Sequence, residues 1–212
     1  MKTFVFQGDS ITDAGRNREN DAYRGNGYPT LVAGHMGYKY PGQFRFLNRG
    51  VSGDRIVDIN ARIRRDIINL QPDYLSILIG INDVWHEFGG RNGVNNTKFY
   101  KTYCDVIEEI LCMCPGVKIF ILEPFVLKAS ATEGEWGVFR RETEKRAESA
   151  KRVAETYGLT FVPLQAKFDA LTGQAPADYW LTDGVHPSAM GHAVIAEALE
   201  QAFCRAIGAT AI

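Results

Sequence analysis

Four short stretches of this chain hold the residue types that nucleophilic acyl chemistry uses. Near the N-terminus lies Gly8-Asp9-Ser10-Ile11-Thr12, and near the C-terminus Asp183-Gly184-Val185-His186-Pro187. Between them come Asn48-Arg49-Gly50-Val51-Ser52-Gly53 and Gly80-Ile81-Asn82-Asp83. A serine hydroxyl attacks a carbonyl only when a base takes its proton, and histidine is the usual base. A carboxylate beside that histidine fixes its tautomer and stabilises the imidazolium that forms. Each stretch alone is weak. Gly-Asp-Ser is a common turn, and a lone Asp-x-x-His is more often a surface feature or a helix cap than a dyad. The meaning lies in where the fold brings the stretches.

The elements around them alternate. Phe4-Val5-Phe6 reads as a short apolar strand, and a loop rich in Asp, Asn, Arg and Gly follows it to about Asn26. Tyr28 to Tyr38 suits a helix with Pro29 in its first turn. Phe44 to Asn48 alternates as a second strand. Ile56, Ile59, Ile63 and Ile67 recur at helical spacing, and Pro72 ends that run. Tyr74 to Ile79 is almost continuously apolar, as expected for a central parallel strand covered on both faces. A helix is predicted from Tyr100 to Cys114, a strand from Val117 to Leu122, and a long charged helix from Trp136 to Tyr157, with Gly158 as its stop. Leu159 to Val162 is a fifth strand, and Ala189 to Ile207 a last helix with Ser188 as cap. Such alternation predicts a three-layer α/β/α fold with a central, mainly five-stranded parallel sheet and right-handed crossovers. No linker or repeat interrupts residues 1–212, so one domain is expected. In open parallel sheets, sites form beyond the carboxyl ends of the strands. Three of the four stretches follow predicted strands directly.

Composition narrows the classes. A chain of 212 residues with 45% hydrophobic and 23% charged residues is ordinary globular material, large enough to hold a core without disulfides or metal. Its 24 basic and 25 acidic side chains nearly balance, which argues against nucleic acid or an anionic membrane as partner. No apolar run approaches the ~20 residues of a membrane span. After Lys2, only Thr3 to Phe6 imitates a leader before Gly8-Asp9-Ser10 ends the run, so a cytoplasmic location is expected. Cys104, Cys112, Cys114 and Cys204 complete no zinc spacing and read as free thiols. Gly-x-Ser-x-Gly is absent because position 12 is Thr, and no phosphate-binding, dinucleotide or His-Glu-x-x-His motif is present.

Taken together and in order, the four stretches resemble the SGNH (GDSL-type) hydrolases, a family of flavodoxin-like fold. The likeness runs from Phe4 to about Phe203. Gly-Asp-Ser-Ile-Thr-Asp-Ala-Gly-Arg, Gly-Ile-Asn-Asp-Val-Trp and Asp-Gly-Val-His-Pro-Ser-Ala-Met-Gly-His are similar to a branch containing intracellular acetylxylan esterases. The resemblance implies Ser10 as nucleophile, His186 as base and Asp183 as its partner. It implies an oxyanion hole from the backbone N–H of Ser10, the backbone N–H of Gly53 and the side-chain amide of Asn82. Gly50, three residues earlier in the same loop, competes with Gly53 for that role. The expected activity is a serine esterase that removes O-acetyl groups from a carbohydrate through an acyl-enzyme. It needs no metal or organic cofactor, and its partner is a small-molecule ester. Relatives often self-associate, so a homo-oligomer is expected. The alternative within the family is a lysophospholipase or thioesterase-type lipid acyl hydrolase. A catalytically silent carbohydrate-binding domain is a third reading, and the intact triad argues against it.

Other residues carry weaker expectations. Trp85, Tyr179 and Trp180 either stack on a sugar ring or pack beneath the loops. Asp9 and Asp83 neighbour the motif residues and are expected mainly to hold loops through backbone N–H groups, with Asp9 also a candidate substrate contact. Asp13 and Arg16 suit either purpose. Ser52 is a rival nucleophile, His86 an exposed loop histidine, and His35 and His192 read as structural. Arg62, Arg64 and Arg65 read as a solvated helix face.

Overall fold

The computed structural model describes residues 1–209. In chain order its elements are β1 (Lys2–Gly8), α1 (Ser10–Asp13), α2 (Tyr28–Lys39), β2 (Phe44–Asn48), α3 (Ile56–Asp66), β3 (Tyr74–Leu78), α4 (Ile81–Gly90), α5 (Asn96–Met113), β4 (Lys118–Leu122), α6 (Trp136–Thr156), β5 (Thr160–Val162), α7 (Gln165–Leu171), α8 (Ala177–Trp180) and α9 (Ala189–Ala206). A 3₁₀ turn, Ile68–Leu70, follows α3.

Side chains alternate across a strand. In β1 this sends Phe4 and Phe6 to one face of the sheet and Val5 to the other, and all three are fully buried. Both faces must therefore be covered. Phe4 and Phe6 join Phe46, Tyr74 and Phe120 in an aromatic core closed by α2 and α9, which supply Val32, Met36, Leu199 and Phe203. Phe203 meets Phe4 edge to face, with ring centroids 4.8 Å apart. Val5 joins Leu47, Leu75, Ile77 and Ile121 in an aliphatic core closed by α3, α5 and α6. Ile56, Ile59 and Ile63 of α3 are buried there, as their spacing predicts. Each contributes about 1.5–3 kcal/mol by leaving water. The result is the three-layer α/β/α fold.

All strand pairs are parallel, in the order β2-β1-β3-β4-β5. The chain moves outward from β1 to β2, then crosses back to β3 on the other side of β1. At such a reversal the loops after two adjacent strands diverge and leave a crevice. Ser10 lies just past β1 and Asn82 just past β3, and the two strands end in register, with Gly8 opposite Leu78. No helix among the described residues is long and apolar enough to cross a membrane.

The strands and the long helices lie within one to four residues of their predicted bounds. Four helices differ from expectation: α1 and α4 occupy segments read as loop, and α7 and α8 lie where no element was predicted. In α4, Asn82, Asp83 and the Gly89-Gly90 pair are poor helix formers. Tertiary contacts compensate, because Ile81 and Val84 are buried in the aromatic core. His86 consequently sits on a helix rather than a loop. The arginine face also differs. Arg62, largely covered, pairs with the buried carboxylates Asp54 and Asp66, whereas Arg65 reaches Asp66 from solvent and Arg64 stays solvated beside Glu109, as expected.

Candidate active site

Ser10 is the first residue of α1, half-buried at the carboxyl end of β1. Asp9 caps that helix: its Oδ1 accepts the Ile11 N–H at 3.0 Å, and its backbone oxygen accepts the Thr12 and Asp13 N–H groups. The turn is thus pinned on both sides of the serine. Ser10 Oγ lies 2.9 Å from His186 Nε2, and His186 Nδ1 lies 2.7 Å from Asp183 Oδ2. The other carboxylate oxygen, Oδ1, accepts the backbone N–H groups of Val185 and His186, both at 2.8 Å. Burial pushes the Asp183 carboxyl up. The bonds from the His186 ring and from these two N–H groups outweigh it and hold the group below the usual range. A charged carboxylate here fixes Nδ1 as the protonated nitrogen and leaves Nε2 free to accept the serine proton.

Beyond the carboxyl ends of the strands, three donors keep an N–H unspent. The backbone N–H groups of Ser10 and Gly53 make no hydrogen bond to any described residue. The Asn82 carboxamide donates one hydrogen to the carbonyl oxygen of Asp54 at 3.1 Å, leaving its second hydrogen unspent. Gly53 has φ +86°, a left-handed conformation natural to glycine, and a Cβ placed there would meet nothing within 4 Å. Gly50 differs. A Cβ on it would lie 2.4 Å from the Asp13 backbone nitrogen, so it is a close-packing residue between two loops.

Carboxylates and one asparagine stitch these loops together. Asn48 donates to the backbone oxygens of Thr12 and Arg24 and accepts the Gly50 N–H. Asp13 accepts both the N–H and the hydroxyl of Ser52, at 3.1 and 3.2 Å. Arg16 donates to the Gly50 oxygen at 2.7 Å. Asp83 accepts the Ile56 N–H, which ties the start of α4 to the start of α3. Asp9 and Asp83 are almost wholly shielded from water, and burial pushes each carboxyl up to about 7 against the pull of their backbone donors. Ser52 is held by Asp13 and has no histidine beside it.

Hydrogen bonds bring Ser10, His186 and Asp183 together, and the Asn82–Asp54 contact joins the Gly53 loop to the start of α4 at the same carboxyl end of the sheet. Trp85 joins them, its ring 5.7 Å from that of His186 and 5.9 Å from Phe139. Asp9 is adjacent in sequence, but its carboxylate points into the protein and is not positioned to touch substrate. Trp180 turns away as well. Its indole N–H donates to the Leu171 oxygen at 3.1 Å, and it lines an apolar groove with Leu31, Met190 and Val194. Tyr179 stands exposed against Trp180. His35 pairs with Glu200 at 2.8 Å. One residue read only as structural lies in the site: His192, in the first turn of α9, lines a 380 Å³ pocket with Ser10 and His186. Its position six residues past His186 on a new helix offered no periodic signal.

Residues 6–194 match the model of the GDSL-like Lipase/Acylhydrolase family. The chain belongs to that family. It is 33% identical over 213 residues to an acetylxylan esterase of Geobacillus stearothermophilus, covering 96% of this chain and 93% of that one. A crystal structure of an acetylxylan esterase from the same organism superposes with a TM-score of 0.85 at 31% identity, over 100% of this chain and 96% of the other. An α/β hydrolase from the metagenome of Lake Arreo, Spain, superposes with a TM-score of 0.85 at 30% identity, over 98% and 95% of the two chains. Three of the solved structures of the Geobacillus esterase are of catalytic mutants, in which a serine, an aspartate and a histidine are each replaced by alanine. This GDSL-family protein is a carboxylic ester hydrolase.

Proposed function

We propose that this hydrolase is a serine esterase removing O-acetyl groups from a carbohydrate, such as an acetylated xylo-oligosaccharide. The observation that carries the reading is the unbroken relay from Ser10 Oγ through the His186 ring to Asp183, at 2.9 and 2.7 Å. His186 Nε2 takes the hydroxyl proton as Oγ attacks the acetyl carbon. The carbonyl oxygen becomes an oxyanion, which the N–H groups of Ser10 and Gly53 and the free carboxamide hydrogen of Asn82 receive. Such donors act where charge develops, in a site with little water to compete. His186 then protonates the departing sugar oxygen, leaving acetyl-Ser10. Water, deprotonated by His186, attacks that ester in turn, and acetate leaves with the serine proton restored.

The acetyl preference rests on the likeness to the acetylxylan esterase, and the sugar reading draws also on the form of the pocket at Ser10. At 380 Å³, edged by Asn26, His186 and His192, it suits a compact polar group. A lipid acyl hydrolase needs an apolar groove open to its nucleophile. The apolar groove lined by Leu31, Leu171, Trp180, Met190 and Val194 shares no residue with the Ser10 pocket.

The test is a chain-length series of p-nitrophenyl esters from acetate to dodecanoate, followed by acetate release from acetylated xylo-oligosaccharides, with Ser10→Ala as control. A sharp maximum at acetate and release from the oligosaccharide, both abolished in the variant, are expected. A maximum at long chains assigns the enzyme to lipid substrates instead.

A further inference from the structure

His192 lines the same pocket as Ser10, yet no step of the hydrolysis uses it. The pocket it shares with Ser10, His186 and Asn26 contains neither Gly53 nor Asn82. A leaving group departs on the side of the base that protonates it, away from the oxyanion donors. This pocket therefore receives the alcohol half of the ester.

The ring is held in one state. The backbone N–H of Tyr28 donates to His192 Nδ1 at 3.2 Å, so Nδ1 carries no proton and Nε2 does in the neutral ring. Burial, reinforced by the neighbouring His186, pushes its pKa down to about 4, so the ring is neutral wherever an esterase of this type works. Its seat depends on Gly27, where a Cβ would come within 2.9 Å of the ring's Cε1. Tyr28 stacks beside it, with centroids 6.5 Å apart. Ser188 caps the helix that carries it, accepting the Gly191 N–H. Held this firmly, the Nε2–H still has no acceptor among the described residues. The carboxamide of Asn26, exposed at the pocket mouth, makes no hydrogen bond to a described residue either, and only the Asn26 backbone is engaged, with Ala14.

We propose that His192 is a specificity-determining residue: its Nε2–H donates to an oxygen of the substrate's alcohol half, with Asn26 binding a second oxygen at the mouth, so that acetates of polyhydroxylated alcohols are selected over acetates of hydrocarbon alcohols. The inference rests on the deacetylase reading and adds the group that reads the sugar. A fixed neutral donor suits a hydroxyl or ring oxygen. It is poorly matched to a hydrocarbon, which would leave the N–H buried without a partner.

The test compares kcat/KM on a monoacetate of methyl β-D-xylopyranoside and on cyclohexyl acetate, two esters with the same acyl group and similar rings. The parent enzyme prefers the sugar. His192→Leu lowers that preference about tenfold, the worth of one lost hydrogen bond in a dry site. His192→Gln, which offers an oxygen to the Tyr28 N–H and an N–H to the pocket, recovers most of it. Asn26→Ala leaves the Tyr28 contact intact and lowers the same ratio by a smaller factor. If His192→Leu and Asn26→Ala slow both esters equally, or leave the ratio unmoved in an enzyme that prefers the sugar, the two residues are structural and this inference alone falls. If the parent shows no preference for the sugar ester, the deacetylase reading falls and takes this inference with it.

Discussion

The Asn82 carboxamide is tethered to the residue next to Gly53. It donates to the Asp54 carbonyl oxygen at 3.1 Å, so a side chain from the first turn of α4 and a backbone N–H from the loop after β2 are set by one contact. Asn82→Ala removes a donor and releases the second one. The expected result is a fall in kcat of about 10²–10³ with KM little changed, the usual loss for one oxyanion donor. Steady-state kinetics on p-nitrophenyl acetate decide it. A fall in affinity with kcat intact would place Asn82 in ground-state binding instead.

The relay predicts a graded and non-additive series. Ser10→Ala costs on the order of 10⁶ in kcat. Asp183→Asn keeps the shape but favours the wrong imidazole tautomer, and costs about 10⁴. A Ser10→Ala/His186→Ala double variant is no slower than Ser10→Ala, because the base has nothing left to activate. Additive losses would mean that His186 acts on substrate independently of Ser10.

Gly50 and Gly53 separate by different readouts. Alanine at Gly53 meets open space but must adopt a left-handed conformation, a strain of about 1–2 kcal/mol. Its N–H tilts away, and kcat falls about tenfold in a protein that still folds. Alanine at Gly50 collides with backbone and lowers Tm first, with overpacking of about 1–3 kcal/mol. Thermal melts and kcat measured on both variants check the pair. Equal loss of Tm would show that Gly53, too, serves packing.

Asp83 predicts a pH dependence. Unfolded, its carboxyl ionises near 3.8, whereas burial holds the proton in the folded chain up to about 7. Between those values the unfolded chain has lost a proton that the folded chain keeps, so this group's contribution to stability falls as pH rises and levels off above the folded value. Asp83→Asn retains an oxygen for the Ile56 N–H and abolishes the effect. Its Tm relative to the parent therefore climbs from pH 4 to pH 7. Melts across that range check it, and a difference that stays flat would mean Asp83 is ionised in the fold.

Much of this was legible in the sequence because the signals were periodic or local. The isoleucines of α3 and the apolar run of β3 encode their own environment, and Gly-Asp-Ser and Asp-x-x-His mark the two loops that meet in the relay. What escaped reading depends on neighbours far along the chain. The helix α4 is made of poor helix formers and persists because Ile81 and Val84 find the core. Arg62 looks solvated until the fold sets buried Asp54 beside it. His192 looks like a packing residue until α9 brings it to Ser10. Trp180, offered as a sugar platform, spends its indole N–H on Leu171, an acceptor that no spacing rule reveals.

Ser10 and His186 are 176 residues apart, and the strand that carries the serine lies inside the sheet. On the proposed mechanism, the nucleophile therefore leaves the ribosome long before its base. Until the segment around His186 has emerged and docked, the serine is an ordinary alcohol. On that mechanism esterase activity is a built-in report on completed folding: a nascent or truncated chain that ends before His186 has no base to activate Ser10 and does not act on esters during its own synthesis.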